Sequence, residues 1–270
     1  MTKLAICSQK GGVGKTTVGI NLAYSLARRG WQLLLLDTDP QGSVGLSLTE
    51  RAHSSTGFFD ALVGDSLDGM FMPTRLPEMQ ILTAGNFERF QQSPLASDPD
   101  ARRAQMGKVL KELDKKDFQL VIIDTAAGTH SVTGDVLSLT DYVLIPQQAE
   151  PLGIRSLPQI LKHLTELQSR PVPPKVAGIL PTMVQHNNSS SLEVLRQLRE
   201  VIPPELLLSS IIPRDSVFTK ASEFGVPVAL LQKKPPQAAL IFDQLAAELE
   251  QRINLTPIEE QQHEFTRLMD

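Results

Sequence analysis

At 270 residues the chain is long enough to bury one large α/β core or two small ones, and with 41% hydrophobic and 21% charged residues it has an ordinary globular composition rather than a disordered or fibrous one. A single cysteine excludes a disulfide framework and a cysteine-held metal cluster, and fits a reducing cytoplasm. No run nears the roughly 20 apolar residues of a membrane span and no long apolar core of a signal peptide opens the chain, while a net charge of −4 excludes a surface basic all over and leaves room for a local basic patch.

The first predicted element is a short buried strand, Lys3 to Cys7. It runs into S-Q-K-G-G-V-G-K-T-T, Ser8 to Thr17, and then into a helix, Thr16 to Arg29, with Val18, Leu22 and Leu26 on one face and Gly30 as its stop. Gly11, Gly12 and Gly14 permit turns closed to residues with a Cβ, so that N–H groups from Gly11 to Thr17, Val13 included, can converge on an anion. Lys15 stands where an ammonium reaches nucleotide phosphates, and Thr16 offers a hydroxyl to the Mg²⁺ that accompanies them. The ordinary spacing G-x-x-x-x-G-K-[ST] would put a glycine at position 9; here Gln9 stands there, followed at once by Lys10.

The length of the apolar run Gln32 to Leu36 suits a buried parallel strand better than a helix, and it ends in Asp37-Thr38-Asp39-Pro40. Two explanations fit that acidic pair on spacing: turn chemistry before a proline, or handling of Mg²⁺ and water. Farther on come a short helix over 57–63, a strand at Met79 to Leu82 and a polar loop from Gln91 to Asp100, while Met70, Phe71 and Met72 read as packing residues. A helix over 101–116, with Val109, Leu110 and Leu113 inward, precedes the strand Phe118 to Ile123. Asp124 closes that strand, the arrangement in which a carboxylate holds Mg²⁺ opposite the Thr16 hydroxyl. His130 has no metal-ligand partner at useful spacing and reads as a loop residue.

The second half continues the alternation: strands at 141–145 and 176–180, helices over 152–168 and 189–201, and a last strand signal closing at Ile211 to Asp215. The expected fold is a doubly wound, mostly parallel α/β sheet with helices on both faces, in one domain spanning 1–270. The tail from Asn254 carries a possible apolar stripe, Ile258, Phe265 and Leu268, beside Glu259, Glu260, Glu264 and Asp270; anionic lipid would repel that face.

From Lys3 to about Leu249 the chain resembles the ParA/MinD family of partitioning and positioning ATPases. The resemblance rests on K-G-G-V-G-K-T from Lys10, D-T-D-P-Q-G from Asp37, V-I-I-D-T-A-A-G from Val121, P-T-M from Pro181 and A-S-E-F-G-V-P-V from Ala221. It is nearest to the ParA, Soj-like members. Ala126-Ala127 stands where the family pattern has Pro-Pro or Pro-Ala. The resemblance implies ATP and Mg²⁺ as cofactors, catalytic roles for Lys10, Lys15 and Asp39, and metal-side roles for Thr16, Asp39 and Asp124. In it Lys10 crosses a nucleotide-sandwich homodimer, Asp39 orients the attacking water, and Met183, Pro213, Arg214 and Asp215 lie around the adenine.

It further implies non-specific binding of duplex DNA by the ATP-state dimer, release when a ParB-like adaptor stimulates hydrolysis, and a cytoplasmic, nucleoid-associated protein without membrane attachment. Arg196, Arg199, Arg214, Lys220, Lys233 and Lys234 are the basic residues in the half where the family builds its DNA patch. The glycine loop starts within the first ten residues, so no helix-turn-helix is expected before it. Two other kinds of relative stand as alternatives: a membrane-positioning ATPase like MinD, disfavoured by the acidic tail, and a metabolic ATPase acting on a small molecule. Iron–sulfur reductases of the same superfamily need cysteines this chain lacks.

Overall fold

The computed structural model describes residues 1–48, 55–129, 131–169 and 172–255. Among these, seven strands form one sheet: β1 (Thr2–Ile6), β2 (Leu33–Asp37), β3 (Met72–Pro73), β4 (Met79–Leu82), β5 (Leu120–Asp124), β6 (Tyr142–Gln148) and β7 (Lys175–Thr182). Their order is β3-β4-β2-β5-β1-β6-β7, and every neighbouring pair is parallel except β3 with β4.

The central strands β2 and β5 are apolar up to their closing aspartates because both faces are covered. Along β2, Leu33 and Leu35 enter one core and Leu34 and Leu36 the other; Leu120 and Ile122 of β5 part from Val121 and Ile123 in the same way. The first core is closed by α1 (Lys15–Arg28) and, much later in the chain, a helix over Gln237–Arg252, which supplies Phe242, Leu245 and Leu249. On the opposite face lie helices over Phe58–Leu62, Pro99–Leu113, Ser131–Ser138, Pro151–Glu166 and Ser189–Val201. In chain order the helices are α2 (Ser43–Leu46), α3 (Phe58–Leu62), α4 (Phe87–Gln91), α5 (Pro99–Leu113), α6 (Ser131–Ser138), α7 (Pro151–Glu166), α8 (Ser189–Val201), α9 (Ser216–Glu223) and α10 (Gln237–Arg252).

The expected doubly wound sheet is therefore present, with two departures. The strand signal at Ile211 to Asp215 adds no strand to the sheet: it makes a single parallel bridge, Val184 with Pro213, in which Val184 N–H donates to Ile212 O and Arg214 N–H to Val184 O, before Asp215 caps the next helix. The Gln91 to Asp100 stretch is not one loop; it holds the end of α4, a 3₁₀ turn at Pro94–Ala96 and the start of α5, with Asp98 capping the N–H groups of Asp100 and Ala101. His130 and the tail beyond Leu255 lie outside the described residues.

Candidate active site

The register of the sheet brings three strand ends level. Asp124 pairs with Ile6 on one side and with Asp37 on the other, so the chain leaves β1, β2 and β5 at one carboxyl edge, where open parallel sheets bind ligands. The glycine loop occupies that edge. Gly12 and Gly14 sit at φ +74° and +92°, a region that favours glycine, and Gly14 caps α1 without any side-chain bond. The first-turn N–H groups of a 14-residue helix are thus left for an anion, reinforced by the helix dipole.

Lys15, only 8% exposed, makes no hydrogen bond or ion pair among the described residues. Beside it the Thr16 hydroxyl donates to Asp124 Oδ2 at 2.6 Å, and Asp124 Oδ1, fully buried, has no hydrogen-bond partner among the described residues. Burial pushes the Asp124 carboxyl up to about 7; Asp39 adds to this, while the Thr16 bond and Lys15 oppose it. Burial first, then the charge of Asp124, raises Asp37 to about 8. Buried carboxylates that resist ionisation together, one with an unmatched oxygen, plus a hydroxyl, make a hard-oxygen donor set suited to Mg²⁺. Thr16 and Asp124 would hold that ion, and it would supply charge neutralisation to phosphate oxygens.

Both explanations offered for the acidic pair are visible. Asp37 accepts the N–H of Asp39 and of Val44, each at 2.9 Å, and Asp39 Oδ1 accepts the N–H of Gln41 at 2.9 Å: turn chemistry. The other Asp39 oxygen accepts no hydrogen bond among the described residues, leaving it open to a water. Lys10 lies at the rim. Its ammonium donates to Gln148 Oε1 at 3.0 Å and approaches Glu150 Oε2 at 3.5 Å, and Glu150 in turn faces Arg214 at 3.9 Å.

A cavity of about 430 Å³ joins the loop to the far end of the chain. Val13, Gly14, Thr17 and Val18 form one wall; Thr182, Met183, Ile212, Pro213, Arg214 and Asp215 form another, and Phe218, Thr219 and Ser222 of α9 close it. Met183 is held at φ +55°, unusual for a residue with a Cβ, where its side chain reaches toward Gly14. The structure therefore gathers Met183, Pro213, Arg214 and Asp215 around one space with the glycine loop. Gly11, whose Cα faces the Ala127 methyl, and Gly12 lie outside that cavity's walls.

Several neighbours escape a reading of the sequence. Glu150 and Gln148 restrain Lys10 from 138 to 140 residues away, and the Thr182 hydroxyl donates to Val13 O at 2.9 Å. Phe218, Thr219 and Ser222 were within reach: the N-cap Asp215, which accepts the N–H of Val217, starts a helix whose first turns must abut the Pro213 segment. The basic residues are exposed and scattered over separate elements: Arg196 and Arg199 on α8, Lys220 on α9, Lys233 and Lys234 before α10. Arg196 is gripped by Glu193 at 2.7 Å and by Glu200 on its own helix.

Chemically, the arrangement can hold a polyphosphate between N–H groups and Lys15, a cation between Thr16 and Asp124, and a planar base in the cavity. A family described as "AAA domain" matches residues 1–176. The chromosome-partitioning ATPase Soj of Thermus thermophilus is 32% identical over 93% of this chain and 96% of its own, and the chromosome partitioning protein ParA of Myxococcus xanthus is 32% identical over 86% and 82%. Among solved structures, cobyrinic acid a,c-diamide synthase from Mycobacterium smegmatis with bound ATP analogue and magnesium superposes with a TM-score of 0.75, 26% identity, and 94% and 96% coverage.

Proposed function

From the premise that this chain belongs to the ParA/Soj/MinD family of deviant Walker A ATPases, we propose that it binds ATP with Mg²⁺, dimerises around the nucleotide and rides on duplex DNA to segregate or position a cargo. The observation that carries the reading is the division of labour between two lysines of one loop. Lys15 is buried and unbonded beside the Thr16–Asp124 pair, while Lys10 has 35% of its side chain exposed at the rim. One cation serves the phosphates from within; the other is held loosely enough to be offered to a second copy. A cation delivered in trans is worth about 10³–10⁵ in rate in the arginine-finger systems.

In this reading the N–H nest and Lys15 bind and orient the β- and γ-phosphates, and Thr16 and Asp124 hold the metal ion. Asp39, anchored through its own N–H to Asp37, turns its open oxygen toward the attacking water. Phosphoryl transfer asks for positioning and charge more than for covalent help, and these residues supply both. Residues 1–270 act as one ATPase domain, in the cytoplasm and on the nucleoid, and a ParB-like or other adaptor protein accelerates turnover.

The test is binding to random-sequence duplex DNA at several salt concentrations, with Asp39→Ala holding the ATP state. Binding with ATP–Mg²⁺ but not ADP, weakening steeply with salt, is the expected result. Absence of binding in both states with dimerisation intact would overturn the DNA reading. The likeness to an amide-forming synthase gives the second reading a concrete form: ATP turnover dependent on a small carboxylic acid, and indifferent to DNA, would select it.

A further inference from the structure

We propose that Thr38 and Thr125 are positioning residues, a lateral tie of two hydroxyls that locks the Asp39 loop and the Asp124 loop to each other and to the strand feeding the glycine loop; this rests on the ATPase reading of the site. The Thr38 N–H and the Thr38 hydroxyl both donate to Asp124 O, at 2.9 and 2.8 Å. That takes both lone pairs of one carbonyl. One residue later, the Thr125 hydroxyl donates to Ile6 O at 2.9 Å, with Ala126 O at 3.1 Å as a second acceptor. Gly128 N–H then donates to Ser8 O at 3.0 Å. The chain of contacts runs Asp39–Thr38–Asp124–Thr125–Ile6 and reaches Ser8, where the glycine loop begins.

Both threonines are buried, at 2% and 0% exposure, so their hydroxyls have no water to turn to. They also stand beyond the last ladder pairs of β2 and β5, Asp37 with Asp124 and Ile6 with Asp124. Beyond that point only single backbone bonds, Thr38 N–H to Asp124 O and Gly128 N–H to Ser8 O, span the neighbouring segments, and the two hydroxyls add a second hold. Thr38 sits between Asp37 and Asp39, and Thr125 beside Asp124, so a shift of either tie moves a carboxylate that must meet metal, water and phosphate together. A purely packing role is the competing account, since valine has the same shape.

Serine and valine separate the two accounts: serine keeps the hydroxyl and valine keeps the volume. In the full chain, Thr38→Val and Thr125→Val should each lower kcat roughly five- to tenfold with KM and ADP affinity within about twofold, while Thr38→Ser and Thr125→Ser keep the parent kcat. Amide hydrogen exchange supplies a readout independent of turnover. Thr38→Val should speed exchange at 125–129 as well as at 39–45, and Thr38→Ser at neither. Exchange raised only at 39–45, or serine variants as slow in turnover as valine variants, would overturn the tie. A parent protein without Mg²⁺-dependent ATP turnover would overturn the reading of the site beneath it, and the exchange pattern would still judge the tie.

Discussion

The glycine loop with its carboxylates, the phosphate end, and the cavity beside it, the base end, are built on different principles. At the phosphate end every group is fixed by short-range geometry: two glycines at positive φ, a buried lysine, a hydroxyl 2.6 Å from a buried carboxylate, and strand ends in register. At the base end the walls are Met183, Ile212, Pro213 and Phe218, held by a short helix and by a segment that hangs on the end of β7 through Ile212 N–H to Pro181 O and one bridge, Val184 with Pro213. Charge tolerates little displacement in a low-dielectric site, whereas an apolar wall accepts any shape that excludes water. One end should decide whether the ligand is a triphosphate; the other should decide only how tightly its base is held.

The sharpest break in that comparison is Lys15→Ala. Loss of a charge-assisted contact of about 1.5–3 kcal/mol should weaken ATP binding roughly 10- to 150-fold, measured by equilibrium titration with a fluorescent ATP analogue. Parent affinity in that variant would remove the cradle from the mechanism. Asp124→Asn comes next and acts with opposite signs on two quantities. Removing a carboxylate whose burial opposes its charge should leave the metal-free protein as stable or more so. The same change should abolish the extra thermal stabilisation that Mg²⁺ adds to ATP, which for a ligand at 100 times its Kd is about 2.7 kcal/mol. Mg²⁺ stabilisation that survives in Asp124→Asn would place the ion elsewhere.

At the base end, Phe218→Ala removes a cavity wall and an edge-to-face contact with Phe242, whose ring centroid lies 6.2 Å away. Affinities for ATP and ADP should fall together, about three- to tenfold, because no phosphate contact changes. A fall confined to ATP would show that the two ends are coupled, and the division drawn above would fail.

Legibility in the sequence follows the same division. The glycine loop, Asp37, Asp39 and Asp124 could be placed because each follows or closes a short strand with three or four apolar residues in a row, although spacing alone left two uses open for Asp37 and Asp39. Their mutual distances also follow, once the strands are parallel and adjacent. Lys10 could be recognised as extra, but its partners Gln148 and Glu150 could not: they depend on β6 lying beside β1, a fact of topology and not of spacing. The segment from Ile211 looked like a strand because it is apolar, and it does lie against the end of edge strand β7, but the pairing is one bridge long before Asp215 turns the chain into α9. Thr38 and Thr125 carried no signal of their own, since each stands one residue past a strand end, where threonine is an ordinary turn residue whether or not its hydroxyl is used.

The smallest effect concerns the basic residues of the second half, where spacing is silent and structure discriminates among them. Arg196 is already neutralised by Glu193 and Glu200 on α8, and the pairing holds the Glu193 carboxyl down to about 2, chiefly through the Arg196 bond and then that of Gln197. Lys233 and Lys234 have no ion-pair partner among the described residues and stand in the loop before α10. A cation that must first leave two carboxylates releases no net counterion from DNA. Arg196→Ala should therefore leave the slope of log K against log salt unchanged, while Lys233→Ala with Lys234→Ala should flatten it by up to about 1.8, or 0.9 for each phosphate no longer neutralised. Equal slopes in the two variants would mean either that neither site meets phosphate or that Arg196 trades its glutamates for DNA. Affinity at a single low salt concentration then separates these, because only a residue that meets phosphate weakens binding when it is removed.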